Sequence, residues 1–322
     1  MVIVKDTKQF IEKFSVPIVI FGTSNAAYWT GYYLNKCNID FAGYFDESVG
    51  NEPATCNGKP VFNLNKLLEY ANSVDNRELR LIIPDINFER DLNNAELIEQ
   101  QNNLKFTCLA PVYKVSKKVT TYNINKMLGY FRFKLMKLDY PTIITNECAA
   151  GPIYEHLGMF YLSPMINTNV PYEDYIKLCY NPKKYLVPIT DSMRRKYWYS
   201  PTTTTDHGFV PAVKIEDIEI SFPHDKNFEV AKNRWNFLVE HVNFNRLIYV
   251  LVNSNGAIPF KILKDFAAVN GEKLIFHYGE MFSFPFANDI IYVNREKLLA
   301  NDEAIENFFD LIGWINRDYE LG

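Results

Sequence analysis

No two of the five cysteines form a C-x-x-C pair; Cys37, Cys56, Cys108, Cys148 and Cys179 are scattered and odd in number. That excludes a zinc knot and argues for reduced thiols in a cytoplasm rather than a disulfide frame. Histidine is equally scarce, with five in 322 residues. None has the H-x-x-x-H spacing of a metal-ligating helix, so no metal site is expected. An excess of positive charge is also missing: the net charge is −4 and the pI near 5.8. Such a chain is not built to neutralise a phosphate backbone, and nucleic acid is not an expected partner.

Residues 14–35 carry no charge at all. The run is long enough to cross a bilayer, but Pro17, Gly22 and Thr23-Ser24-Asn25 interrupt it. A lipid-buried helix tolerates that centre poorly, whereas a strand, a turn and a helix place it in water. No membrane span is expected. The opening MVIVKDTKQFIEKF has acidic residues and no apolar core, so it does not read as a secretory signal, and a cytoplasmic location is the expectation.

What the chain has in quantity is apolar and aromatic residues, with 21 Tyr and 24 Phe. Generous core packing explains them; Tyr lining a sugar or nucleobase site is the sharper alternative. At 322 residues the chain exceeds one ordinary core and fits two domains. Through the first third, apolar β-branched runs alternate with amphipathic ones. Strands are expected near residues 17–21, 41–45, 60–62, 79–83 and 105–109, and helices near 5–14, 26–36, 64–71 and 89–101. That alternation means parallel β joined by right-handed crossovers. It lapses in the polar, basic stretch 114–123, which sets expected domains at 1–115 and 116–322. In the second, a helix is expected at 124–138 and strands near 142–145, 218–222, 247–252, 274–276 and 290–293. Further helices are expected at 171–179, 227–241, 259–268 and 302–315, with an irregular segment at 194–208. The expected fold is α/β, two Rossmann-like domains with mostly parallel sheets and a cleft between them.

Gly22-Thr23-Ser24-Asn25-Ala26-Ala27 follows a strand and opens a helix, where a dinucleotide fold carries G-x-G-x-x-G. Gly22 permits the tight turn and Ala27 a close helix–sheet approach, while Ser24 stands where backbone would meet a pyrophosphate. The helix start still offers free N–H groups beside the hydroxyls of Thr23 and Ser24. Asp46, at the tip of the second strand, stands where an acid holds a ribose hydroxyl. The expected ligand-binding residues here are Gly22, Thr23, Ser24, Asn25 and Asp46. This segment, through Gly43-Tyr44-Phe45-Asp46-Glu47 and Gly58-Lys59-Pro60-Val61-Phe62, resembles the N-terminal domains of bacterial sugar acyltransferases. The resemblance implies nucleotide-sugar binding across the turn.

Four expected strands of the second domain end in polar residues: Asn146-Glu147-Cys148, Pro223-His224-Asp225, Asn253-Ser254-Asn255-Gly256 and His277-Tyr278-Gly279. In a parallel sheet these C-terminal ends share one edge, where open α/β sheets bind ligands. Asn146, Asn253, Ser254 and His277 are therefore expected to bind ligand, with Glu147, Cys148 and His224 as catalytic candidates. A base role suits His224 or Glu147. Cys148 reads either as a thiolate at a helix start or as a small buried packing residue. The basic run Arg194-Arg195-Lys196 reads as a diphosphate clamp or as a solvated face.

Glu147 and Glu155 resemble the E-x₇-E turn of retaining glycosyltransferases. From Phe131 to about Gly279 the chain resembles a bacterial family of unknown function often labelled exopolysaccharide biosynthesis protein. The matching stretches are FRFKLMKLDYPTIITNECAAGPIYEHLG, YLSPMINTNVPYEDYIKL and DIEISFPHDKNFEVAKNRW. Asn146, Cys148 and Gly151 fit that family's turn, while Glu147, Ala149 and Ala150 depart from it. The resemblance implies a setting in surface-polysaccharide assembly. A nucleotide-sugar-dependent glycosyl or related group transferase is then expected, with a non-catalytic nucleotide- or sugar-binding protein as the alternative. A dehydrogenase fits less well, for want of the second glycine. The small-molecule ligand is expected to be a nucleotide-sugar; the sequence specifies neither a cofactor nor an oligomeric state.

Overall fold

The computed structural model describes residues 1–12, 15–84, 88–110, 112–116, 119–199, 208–253, 258–277, 291–294 and 304–318. It is mixed α/β, and its contacts divide into two units. Unit 1 gathers Met1–Met136, Glu155–Met159 and Ala300–Asp318; unit 2 holds Lys137–Tyr154 and Phe160–Leu299.

Unit 1 is built on a seven-stranded sheet in the order β1-β7-β6-β2-β3-β5-β4. Its strands are β1 (Val2–Val4), β2 (Ile18–Phe21), β3 (Gly43–Phe45), β4 (Thr55–Cys56), β5 (Lys59–Phe62), β6 (Glu78–Ile82) and β7 (Lys105–Leu109). Every pairing is parallel except β4 with β5. Strand β2 shows why an unbroken apolar run suits this place. Successive side chains leave opposite faces, and both faces are covered. Ile18 and Ile20 join Phe10 of α1 (Thr7–Glu12), Leu34 of α2 (Asn25–Lys36) and Leu128 of α5 (Ile124–Leu135). Val19 and Phe21 join Leu67 of α3 (Leu64–Asn72) and Ala95 of α4 (Phe88–Asn102). A strand buried on both sides has no polar position to alternate with.

Segment 155–159 meets α5 through two glycines. Gly158 has φ +63°, and a Cβ there would lie 2.4 Å from the Gly129 carbonyl oxygen. Gly158→Ala is expected to destabilise unit 1 by about 2–3 kcal/mol, from overpacking against backbone plus the left-handed conformation. Urea denaturation checks it; a loss under about 0.5 kcal/mol would mean the contact relaxes freely.

Unit 2 holds the parallel sheet β10-β14-β15-β16, formed by β10 (Thr142–Thr145), β14 (Leu247–Val252), β15 (Glu272–His277) and β16 (Ile291–Asn294). A separate antiparallel sheet contains β11 (Arg194–Tyr199), β12 (Gly208–Ile215) and β13 (Ile218–Ser221). One core serves both: Ile144, Leu251 and Ile275 of the first sheet cluster with Val213 and Ile220 of the second. Tyr175 of α6 (Tyr172–Tyr180) and Trp235 of α7 (Phe228–Val239) complete it.

Three expectations are corrected. Segment 194–199, read as irregular, is a strand, because 208–215 supplies its antiparallel partner. Pro211 and Gly208 hide β12 from a reading by propensity. With β12 in place, 218–221 pairs antiparallel and is not a strand of the parallel sheet. The stretch 112–122 also contains a hairpin, β8 (Val112–Ser116) with β9 (Val119–Tyr122). Among the described residues no helix is long and apolar enough to cross a membrane.

Candidate functional site

In unit 1, the residues after β2 make the turn that the glycine, threonine and serine suggested. Gly22 takes φ +82°, a conformation cheap only for glycine, and its N–H donates to the Phe45 carbonyl at 2.6 Å. Ser24 caps α2: its Oγ accepts the Ala27 N–H at 3.3 Å. Thr23 turns the other way and donates its hydroxyl to Asp46 Oδ2 at 2.6 Å. The N–H of Ser48 (3.0 Å) and its hydroxyl (2.6 Å) both donate to Asp46 Oδ1. Burial alone would raise the Asp46 pKa; the hydrogen bonds from Ser48 and Thr23 outweigh it and hold the carboxyl below its ordinary value. Asp46 is thus an oriented, ionised acceptor.

These residues wall a crevice of about 500 Å³, lined by Phe21, Gly22, Thr23, Ser24, Asp46, Glu47, Ser48, Arg90, Asp91 and Asn94. That volume suits a small ligand. Asn25 begins α2, is exposed, and is not part of the lining. Arg90, Asp91 and Asn94 come from the first turns of α4, and sequence reasoning missed them. Asp91 is buried, and Arg90 Nε and Nη2 reach its Oδ1 at 2.9 and 2.8 Å, leaving the guanidinium largely exposed. Their signal was weak: a cation and an amide at i and i+4 on a helix after a strand. What gives them meaning is strand order, since β2 lies between β3 and β6 and connections leave it in both directions.

In unit 2, Asn146 ends β10 and is almost fully buried. Its amide clasps the neighbouring strand, donating to the Val252 carbonyl at 3.0 Å and accepting the Val252 N–H at 2.6 Å. The turn beyond is tied to 168–170: Val170 N–H donates to the Asn146 carbonyl at 2.8 Å, and Cys148 Sγ to the Thr168 carbonyl at 3.4 Å. Thr145 donates its hydroxyl to the Glu147 carbonyl. Glu147 is buried and Cys148 half-buried. Asn253 follows β14, with 7% of its surface exposed and its side-chain oxygen without a hydrogen-bond partner among the described residues. His277 ends β15 and is half-buried. Asn146, Asn253 and His277 therefore stand at the same end of three adjacent parallel strands. Ser254 lies outside the described residues, as does His207. The edge does not include His224. It is exposed, in the turn three residues beyond β13, the strand that the antiparallel sheet claims. Glu155 is ion-paired with Lys126 at 3.7 Å.

Among the described residues no group of three or more His, Cys, Asp or Glu side chains could hold a metal ion. Two comparisons bear on the chain. A family profile described as "Domain of unknown function (DUF1919)" matches residues 115–320. An uncharacterized protein of Haemophilus influenzae is 20% identical over 189 residues, an alignment covering 55% of this chain and 78% of that protein.

Proposed function

The chain belongs to the family of unknown function DUF1919, and we propose that it binds a nucleotide-sugar in the crevice of unit 1. The crevice lies N-terminal to the matched residues 115–320, so the proposal rests on the crevice's own chemistry. One observation carries it: Thr23, Ser24 and Asp46, distant in sequence from Arg90, line a single concavity. The Asp46 carboxylate, held by three donors, accepts a ribose hydroxyl; the start of α2 and the Arg90 cation receive the diphosphate. The strand order β5-β3-β2-β6-β7 supports a Rossmann-like reading of unit 1, because ligands bind where connections diverge. A Rossmann-like reading of unit 2 is part of the same proposal, supported by its parallel sheet.

The activity proposed is transfer of a glycosyl or related group in surface-polysaccharide assembly, in line with the resemblances to sugar acyltransferases and to proteins labelled for exopolysaccharide biosynthesis. A second reading, a binding protein without turnover, is favoured by one fact. His224 follows a strand of the antiparallel sheet, while Glu147 and Cys148 follow β10 of the parallel one, so the catalytic candidates are not all carried by strands of one sheet.

Thermal-shift titration against UDP-, GDP- and CDP-sugars, NAD and NADP tests the proposal. A true ligand at a hundred times its Kd stabilises by about 2.7 kcal/mol. Asp46→Ala is expected to weaken nucleotide-sugar binding about tenfold, or about 1.4 kcal/mol, and Thr23→Val by less. A shift with NADP alone would discard the nucleotide-sugar. Release of free nucleotide from a bound donor, given an acceptor, separates the transferase from the binding protein.

A further inference from the structure

The basic run is not a loop. Arg194, Arg195 and Lys196 open β11, which pairs with β12 through six residues, from Arg194↔Val213 to Tyr199↔Gly208. Strand geometry puts Arg194 and Lys196 on one face, about 7 Å apart, and Arg195 on the other. A three-pronged clamp on one diphosphate is thereby ruled out, since the middle prong points away.

All three cations are exposed, and among the described residues none has a carboxylate as ion-pair partner. Three of the acids nearby are already engaged. Lys232 holds Asp191 at 2.7 Å and Glu229 at 3.0 Å, and Arg234 holds Asp225 at 2.6 Å. Arg194 has a packing role, its guanidinium 5.2 Å from the centre of the Phe228 ring. Arg195 donates from Nη1 to the Arg194 carbonyl at 2.7 Å. Phe209 is 68% exposed and two residues before Pro211, the register partner of Lys196, so it shares the Lys196 face.

We infer that the β11–β12 ribbon is a docking surface for an anionic polysaccharide, one bearing uronate or similar carboxylates. This inference rests on the surface-polysaccharide setting proposed above. Charge complementarity selects a polyanion, because cations with no carboxylate partner among the described residues stand together on a chain of net charge −4. Cations on both faces suit a flexible polymer that can follow the ribbon's edge. A flat membrane would meet one face only, and a duplex needs more phosphate contacts than three cations supply. Arginine meets carboxylates in pairs of hydrogen bonds.

Affinity electrophoresis of the full chain through gels containing polygalacturonate, neutral dextran or no polymer is the test. Retardation by polygalacturonate, absent with dextran and falling as salt rises, is expected. Arg195→Gln/Lys196→Gln together should reduce it at least tenfold, with the thermal transition unchanged; Arg194, which packs on Phe228, is left in place. Equal retardation of wild type and double variant would overturn the assignment. So would equal or tighter binding to duplex DNA or to phosphatidylglycerol vesicles, or no retardation at all. The nucleotide-sugar shift, measured on the same double variant, should be intact. If that shift is missing from the wild type while polymer binding persists, the crevice reading fails and the ribbon stands.

Discussion

Glu306→Ala is expected to cost the fold about 3–5 kcal/mol, the range for stranding a buried charge. The stranded charge is Arg132, whose side chain is fully buried and whose partner is 4% exposed. Arg132 Nε and Nη2 meet the two oxygens of Glu306, each at 2.7 Å. Nη1 donates to the Asn125 carbonyl at 3.1 Å and the His156 carbonyl at 3.0 Å, and Nη2 also to Asn125 Oδ1 at 3.0 Å. All five guanidinium N–H groups are satisfied. Tyr33 adds its hydroxyl to Glu306 Oε1 at 2.5 Å. Removing the carboxylate leaves a cation with no water and no anion. Replacing both partners, Arg132→Met with Glu306→Leu, should recover most of the loss, since two apolar groups need neither. Urea denaturation followed by Trp fluorescence reads this directly, because Trp29 donates to Asn307 Oδ1 at 2.7 Å beside the pair. A double variant no better than the single one would show that the residues act by shape rather than charge.

Acidification is expected to weaken the same region steeply. His156 is buried, its Nδ1 has no hydrogen-bond partner among the described residues, and burial, then the Arg132 charge, pushes its pKa from 6.5 down to about 3. Between those values the unfolded chain binds a proton that the folded one refuses. Stability therefore rises with pH across the window and is lost as pH falls from about 6.5 toward 3. The slope from this one residue is about 1.4 kcal/mol per pH unit. Urea midpoints between pH 7.5 and 4.5 measure it. His156→Leu should flatten the slope by that amount below pH 6, whatever it does to stability at neutral pH. An unchanged slope would mean that another group carries the acid sensitivity. Asp46 works in the same direction at lower pH: its depressed carboxyl pKa gives stability that is present above the ordinary carboxylate range and lost as pH falls through the folded value.

Much of unit 1 could be read locally. Ile18–Phe21, the turn at Gly22 and the cap at Ser24 are each written within a few residues, so the strand, turn and helix around them are found by pattern. Asp46 could be placed because it ends the next strand. Arg90 and Asn94 could not, because their relevance depends on β6 lying beside β2, a pairing between segments about sixty residues apart. The Arg132–Glu306 pair spans 174 residues, and neither residue has a neighbour in sequence that foretells it.

In unit 2 the polar ends of β10, β14 and β15 were legible, and Asn146, Asn253 and His277 do stand side by side. Their common appearance with Pro223-His224 misled, since a strand's sequence does not state its partner. Ile218–Ser221 suits either sheet by composition; β12 claims it because pairing there completes an antiparallel sheet over the Val213 and Ile220 core.

The sequence by itself determined the alternation of elements, the strand–turn–helix chemistry at Gly22 and Ser24, and the scarcity of metal-ligand patterns. These depend on backbone conformation and spacing over a few residues. Tertiary structure alone decided which turns share a crevice, which strand keeps His224 from the parallel edge, and how a fully buried arginine is neutralised. Those outcomes turn on burial and pairing between distant segments, where many partners are chemically equivalent until the whole core closes.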